Sequence, residues 1–179
     1  MTERETSIVV VNDASCLIDL RKAQLLQLMV QLPYHLVIPL PVRMSELIRF
    51  TAEEWVVLDS GIAVFDLPPE RVSEAFLVKA AFPKLSANDC FCLVTARCHD
   101  HSILLTGDGL LRGVAEGDGR RVHGVLWVVD ELKRLALCAD HLLVAALETW
   151  RGDPTVRIPE QEIVRRMHAL RPPGHDRDF

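Results

Sequence analysis

Four acidic residues stand where acids could do chemistry together: Asp13, Glu46, Asp89 and Asp108. Asp13 closes a short β-branched run, Ser7-Ile-Val-Val-Val-Asn12, and Asp108 follows a second run, Ser102-Ile-Leu-Leu-Thr106, between two glycines. Such runs read as strands buried on both faces, as in a parallel sheet covered by helices. In sheets of that kind, ligands bind beyond the carboxyl ends of the strands, where neighbouring strands send their helices to opposite faces. If these two strands are neighbours, their terminal carboxylates meet there. Asp89, near the start of a predicted helix, and Glu46, on the helix expected after the second strand, would join them. Two carboxylates ~4 Å apart repel by roughly 4 kcal/mol at a surface-like effective dielectric, so a cluster of four calls for compensating cations. All-oxygen ligands suit Mg²⁺ or Mn²⁺ rather than zinc. The chemistry that follows is metal-assisted attack of water on a phosphodiester.

Each acid also has an ordinary structural reading. Asp13 could be a loop or capping acid. Asp89 lies three residues after Ser86, the spacing of a capping box. Asp108 between glycines suits a turn, and Glu46 suits a solvated helix face. Spacing alone does not show that the four converge. Other chemistries fit less well. Cys90, Cys92, Cys98 and His99 invite a zinc site, but Cys90 and Cys92 would point in different directions on a helix, and the paired spacing of a zinc knuckle is absent. The sequence has no nucleophile elbow, Walker loop or dinucleotide glycine fingerprint. A phosphoacceptor receiver domain would need a second acid beside Asp13, where Asn12 stands.

Stepwise along the chain, the pattern predicts the elements that must hold these residues. A helix is expected over 16–32, ended by Pro33, then a strand over 35–39. Pro41 suits the first turn of a helix carrying Met44, Leu47 and Ile48. A third strand is expected over 62–67 and a helix over 69–81. Ser86 is the expected N-cap of the helix carrying Asp89, and a strand over 102–106 follows. A short helix over 110–115, a fifth strand over 125–129 and helices over 130–137, 140–150 and 159–170 complete the reading. Strands alternating with helices imply a three-layer α/β/α domain with a mainly parallel sheet. One domain is expected over 1–171, its core at 7–129 and its extra C-terminal helices at 130–170, with 172–179 as an unstructured tail.

The 179 residues are nearly half apolar and a quarter charged, which excludes a disordered chain. The apolar runs are too short to cross a bilayer, and the start lacks a signal peptide's apolar region, so a cytoplasmic location is expected. The odd count of five cysteines fits reduced thiols there. A net charge of −5 argues against a protein that coats nucleic acid generally, but leaves room for a local phosphate-binding patch. Arg43, Arg49, Arg97, Arg112, Arg120 and Arg121 are its candidates, though each taken alone reads better as a solvated surface arginine.

Four phrases follow one another in order: Val-Val-Val-Asn-Asp13-Ala-Ser15, Ser45-Glu46-Leu-Ile, Leu85-Ser-Ala-Asn-Asp89-Cys-Phe-Cys-Leu-Val-Thr-Ala-Arg97 and Leu104-Leu-Thr106-Gly-Asp108-Gly-Leu-Leu-Arg112. They resemble the four acidic motifs of PIN domains, particularly the bacterial and archaeal VapC-type toxins, and Val122-His-Gly-Val-Leu-Trp127-Val resembles the family's last strand. The resemblance implies a five-stranded sheet of order 3-2-1-4-5. It also implies Mg²⁺- or Mn²⁺-dependent cleavage of RNA, frequent homodimers and, for toxins, a cognate antitoxin protein. By position it makes Asp13, Glu46, Asp89 and Asp108 the metal-site acids. Ser15 matches a small polar residue that could hydrogen-bond an acid, and Arg112, one turn past Asp108, could meet a phosphate. The family commonly has Thr where this chain has Ala14. A PIN fold that has become an RNA- or protein-interaction module is the alternative, and the complete set of acids weighs against it.

Overall fold

A computed structural model describes residues 8–170. The first residue of the expected opening strand and the proposed tail over 172–179 lie outside the described residues. The strands are β1 (Val9–Asn12), β2 (His35–Pro39), β3 (Ile62–Phe65), β4 (Ser102–Leu105) and β5 (Arg121–His123). All four pairings are parallel and the order is β3-β2-β1-β4-β5. Strands β1 and β4 are therefore neighbours, with Asn12 opposite Leu105. Their consecutive valines and leucines are buried on both faces, as a sheet between two helical layers demands.

The helices are α1 (Ala14–Lys22), α2 (Leu26–Met29), α3 (Leu40–Ser45), α4 (Ala52–Gly61), α5 (Pro69–Ala81), α6 (Ala87–Arg97), α7 (Gly109–Gly117), α8 (Val125–Arg134), α9 (Asp140–Gly152) and α10 (Glu160–Leu170). Helix α6 lies on β1, β2 and β4 and carries α5, while α1 contacts α8 and α9, and α9 carries α10. Trp150 of α9 is buried and donates its indole N–H to the Asp19 carbonyl of α1, 2.8 Å away, which pins the C-terminal helices to the first one.

Three expectations need correction. Residues 125–129 are not a strand but the start of α8. Val125, Val128, Val129 and Leu132 are the buried positions, a helical spacing that runs on past the apolar run. The fifth strand is the three-residue β5 just before it, so only the first part of the phrase resembling the family's last strand is extended. The helix expected over 16–32 is two helices. Gln24 takes a left-handed conformation (φ 58), and α1 closes as a Schellman motif, with Leu25 N–H on Leu20 O and Gln24 N–H on Arg21 O. Helix α3 stops at Ser45, so Met44 and Ile48 are exposed and only Leu47 of the expected apolar set is buried. A helix absent from the sequence reading, α4, opens on a capping box between Thr51 and Glu54. At its end Gly61 meets the backbone of Val30 so closely that a β-carbon would sit 2.9 Å from the Val30 carbonyl oxygen.

Candidate active site

Asp13 occupies the N-cap position of α1, but its side chain does not cap that helix. Its Oδ2 instead accepts hydrogen bonds from Ser15 Oγ at 2.6 Å and Thr106 Oγ1 at 2.8 Å. The carboxylate is thereby clamped between the ends of β1 and β4, and the residue is 4% exposed. Ser15 Oγ also accepts from Gly107 N–H, and Thr106 Oγ1 from Asp108 N–H. The loop that leaves β4 is thus tied to the acid that ends β1. Asn12, fully buried, donates from Nδ2 to the carbonyls of Val10 and Val37, so it bridges β1 to β2.

Burial raises the Asp13 carboxyl above its ordinary value of 3.8; the two hydroxyl hydrogen bonds oppose this, and the charges of Glu46 and Asp89 add to it. The same two acids and Asp13 act on Cys92, one turn after Asp89. Its fully buried thiol is pushed well up, by burial first and then by Asp13, Asp89 and Glu46. Three of the four predicted acids, Asp13, Glu46 and Asp89, therefore lie within electrostatic reach of Cys92 in α6.

The acids differ in what else they do. Glu46 sits at the C-cap of α3, and its Oε1 accepts from Asn88 Nδ2, which also reaches Ser45 Oγ. Asp89 forms the expected capping box: its Oδ2 takes the Ser86 N–H at 2.6 Å, and Ser86 Oγ takes the Asp89 N–H at 3.0 Å. Asp108 is the exposed N-cap of α7, and its Oδ1 accepts from both Leu110 and Leu111 N–H at 2.8 Å. It reaches Asp13 only through Thr106. Among the described residues no three His, Cys, Asp or Glu side chains stand close enough together to form a ready cage for a metal ion.

Arg112 lies alongside, donating to the carbonyls of Thr106 and Val122 at 3.3 and 3.4 Å. The other arginines of the expected patch have different work. Arg43 pairs with Asp59 and covers the Trp55 ring, and Arg97 bridges Glu74 and Asp118. Arg49 and Arg121 are exposed, and Arg120 is half-buried. Thr106 and Asn88 were not among the predicted site residues, although they hold Asp13 and Glu46. A signal existed for Thr106: it stands two residues before the acid after β4, as Ser15 stands two residues after the acid that follows β1. The five cysteines are free, with Cys16, Cys90 and Cys92 buried.

The five-stranded parallel sheet thus carries Asp13 and Asp108 just beyond the ends of its neighbouring strands β1 and β4. The family model for the PIN domain matches residues 9–170, and the chain belongs to that family. PIN domains are generally nucleases, and those nucleases generally use divalent metals. No characterised protein matches the chain significantly. No solved structure does so either. No helix among the described residues is long and apolar enough to cross a membrane.

Proposed function

We propose that this protein is a Mg²⁺- or Mn²⁺-dependent endoribonuclease whose working acids are Asp13, Glu46, Asp89 and Asp108. The observation that carries this reading is the buried Asp13 carboxylate, clamped by Ser15 and Thr106 and set in the negative field of Glu46 and Asp89. A fold gains nothing in stability from like charges gathered around a buried acid, so their use lies elsewhere. The donor set fits a hard divalent cation in chemistry, since every candidate ligand is a carboxylate oxygen. Asp13 and Asp89 would hold it, with Glu46 and Asp108 completing the set. The ion, when bound, would polarise the scissile phosphate and favour ionised water as the nucleophile.

The remaining work falls to the chain. Ser15 and Thr106 fix one oxygen of Asp13, which leaves Oδ1 as the oxygen directed to a ligand. Asn88 fixes Oε1 of Glu46, so Oε2 remains to accept a hydrogen bond from the attacking water. Capping bonds set Asp89 and Asp108 while each keeps one oxygen clear of its cap. Arg112 stands near enough to steady a phosphate.

The resemblance to VapC-type toxins supports a further reading, that the protein is the toxin of a toxin–antitoxin pair. Exposed Met44 and Ile48, flanking Glu46, and Phe76 and Leu77 on α5 offer apolar surface for a second copy or an antitoxin. One observation favours the other reading, an RNA- or protein-interaction module: the acids form no ready metal cage, and two of them serve as helix caps. The readings part in one experiment. Purified protein with Mn²⁺ should cleave single-stranded RNA, and Asp13→Asn should cut the rate by about 100-fold or more, the scale of losing several kcal/mol of charge stabilisation. Absence of cleavage across varied RNAs, with no Mn²⁺ binding by calorimetry, would leave the module.

A further inference from the structure

Beside the acids, a cavity of about 830 Å³ opens between α1, the β4 and β5 ends, α8 and the segment leading into α10. Its volume is in the range of small-molecule sites. Ser15, Thr106 and Asp108 line its near end, so it begins one side chain away from Asp13. Residues 155–166, which lie beyond the last strand, form its far wall.

The charges of the lining sort into paired and free. Lys22 is neutralised by Asp19 and Asp153, and Arg166 by Asp130 and Glu162. Among the described residues Arg112 has only Glu116 as a carboxylate partner, at 3.4 Å. Arg157, exposed, has no ion pair among the described residues. Apart from Asp108, the one lining charge without an ion pair among the described residues is that of Arg157. Its apolar part is Ile18 and Ile158, both partly buried against the core, and Trp127, whose ring stacks on His123 at 5.3 Å. The exposed Arg157 guanidinium, and Arg112 held only by contacts of 3.3–3.4 Å to Glu116 and two carbonyls, stand beside aliphatic and aromatic surface and match a phosphate and a base.

We propose that this cavity is a subsite for a nucleotide of single-stranded RNA, adjoining the scissile bond, with Arg112 and Arg157 on its phosphate and Ile18, Trp127 and Ile158 against its base. The proposal rests on the nuclease reading for the position of the scissile bond, but the subsite can be tested without catalysis. Asp13→Asn protein in EDTA is titrated with a fluorescently labelled single-stranded RNA and followed by anisotropy. Arg157→Ala, a surface change with little bearing on folding, should weaken binding by about tenfold, the value of a lost charge-assisted hydrogen bond. Arg71→Ala, on α5 and away from the cavity, should leave affinity unchanged. A photoreactive uridine in the RNA should cross-link to the Trp127 peptide.

Equal affinity of Arg157→Ala and its parent, with cross-links mapping elsewhere, would overturn the subsite and leave the nuclease reading standing. Absence of cleavage by the parent protein with Mn²⁺, with RNA binding and cross-linking intact, would remove the nuclease and keep the subsite as an RNA-binding site. Saturable binding of an acidic peptide at Arg157, with no RNA binding, would assign the cavity to a protein partner and refute the proposal.

Discussion

At the scale of single residues, the four acids are not equivalent. Asp13 caps no helix and costs the fold desolvation, although its hydrogen bonds from Ser15 and Thr106 tie β1 to the loop that leaves β4. Asp108 does cap a helix, and its proposed chemical role must be separated from that duty. Asn is as good an N-cap as Asp, whereas Ala loses about 1 kcal/mol. Asp108→Asn should therefore melt within a degree or two of the parent, while Asp108→Ala should melt about 2–4 °C lower for a chain of this size. If Asp108 also serves the reaction, both variants should lose RNA cleavage by about tenfold or more, because Asn cannot supply a charged oxygen to a cation. Full activity in Asp108→Asn would make Asp108 a helix cap alone. Thermal melting and initial rates measured on the same preparations decide it.

At the scale of elements, the closure of α1 gives a clean test. Gln24 holds the left-handed position of a Schellman motif, where a side chain costs about 1 kcal/mol and glycine costs nothing sterically. Gln24→Gly should raise stability by about 0.5–1 kcal/mol in urea unfolding; a fall would show that Gln24 makes contacts worth more than the strain. The same position explains why one long helix was expected. Leu17, Leu20, Leu25, Leu28 and Met29 keep helical spacing through the break, and no glycine or proline marks it. Strands β1 and β4 were legible because a buried parallel strand is a continuous apolar run, and with them came the two acids that follow their ends. The run at 125–129 misled for the same reason: a short apolar run does not distinguish strand from helix, and what decides is Leu132, one turn further on. Asp89's capping box was legible from Ser86. Thr106's bond to Asp13 was not, since it depends on β1 and β4 being neighbours across 93 residues of chain. The far wall of the cavity was hidden more deeply still, because residues 155–166 come from the far end of the chain, beyond the Trp150 that docks on α1.

At the scale of the molecule, one buried carboxylate, Asp13, should show in the fold's pH response. Burial first, then Glu46 and Asp89, hold the Asp13 pKa above 3.8 against the pull of Ser15 and Thr106. An acid raised in the folded state binds its proton more tightly there than in the unfolded chain. The stability this proton contributes is fully present below the unfolded value near 3.8 and is lost as pH rises through the raised folded value. At neutral pH, ionised Asp13 thus works against the fold. Asp13→Asn should melt higher than the parent near neutral pH without divalent ions, and its advantage should shrink as pH falls through and below that window. A bound divalent cation would relieve the same repulsion. Mn²⁺ at about a hundredfold excess over its Kd should stabilise the parent by about 2.7 kcal/mol, or about 5–10 °C in Tm. The shift should weaken as acid protonates Asp13, because proton and cation compete for one carboxylate, and it should be largely lost in Asp13→Asn. A melting series in pH and Mn²⁺ tests both halves. An unchanged parent Tm at neutral pH with millimolar Mn²⁺ would mean that the gathered acids do not hold a cation in the native fold.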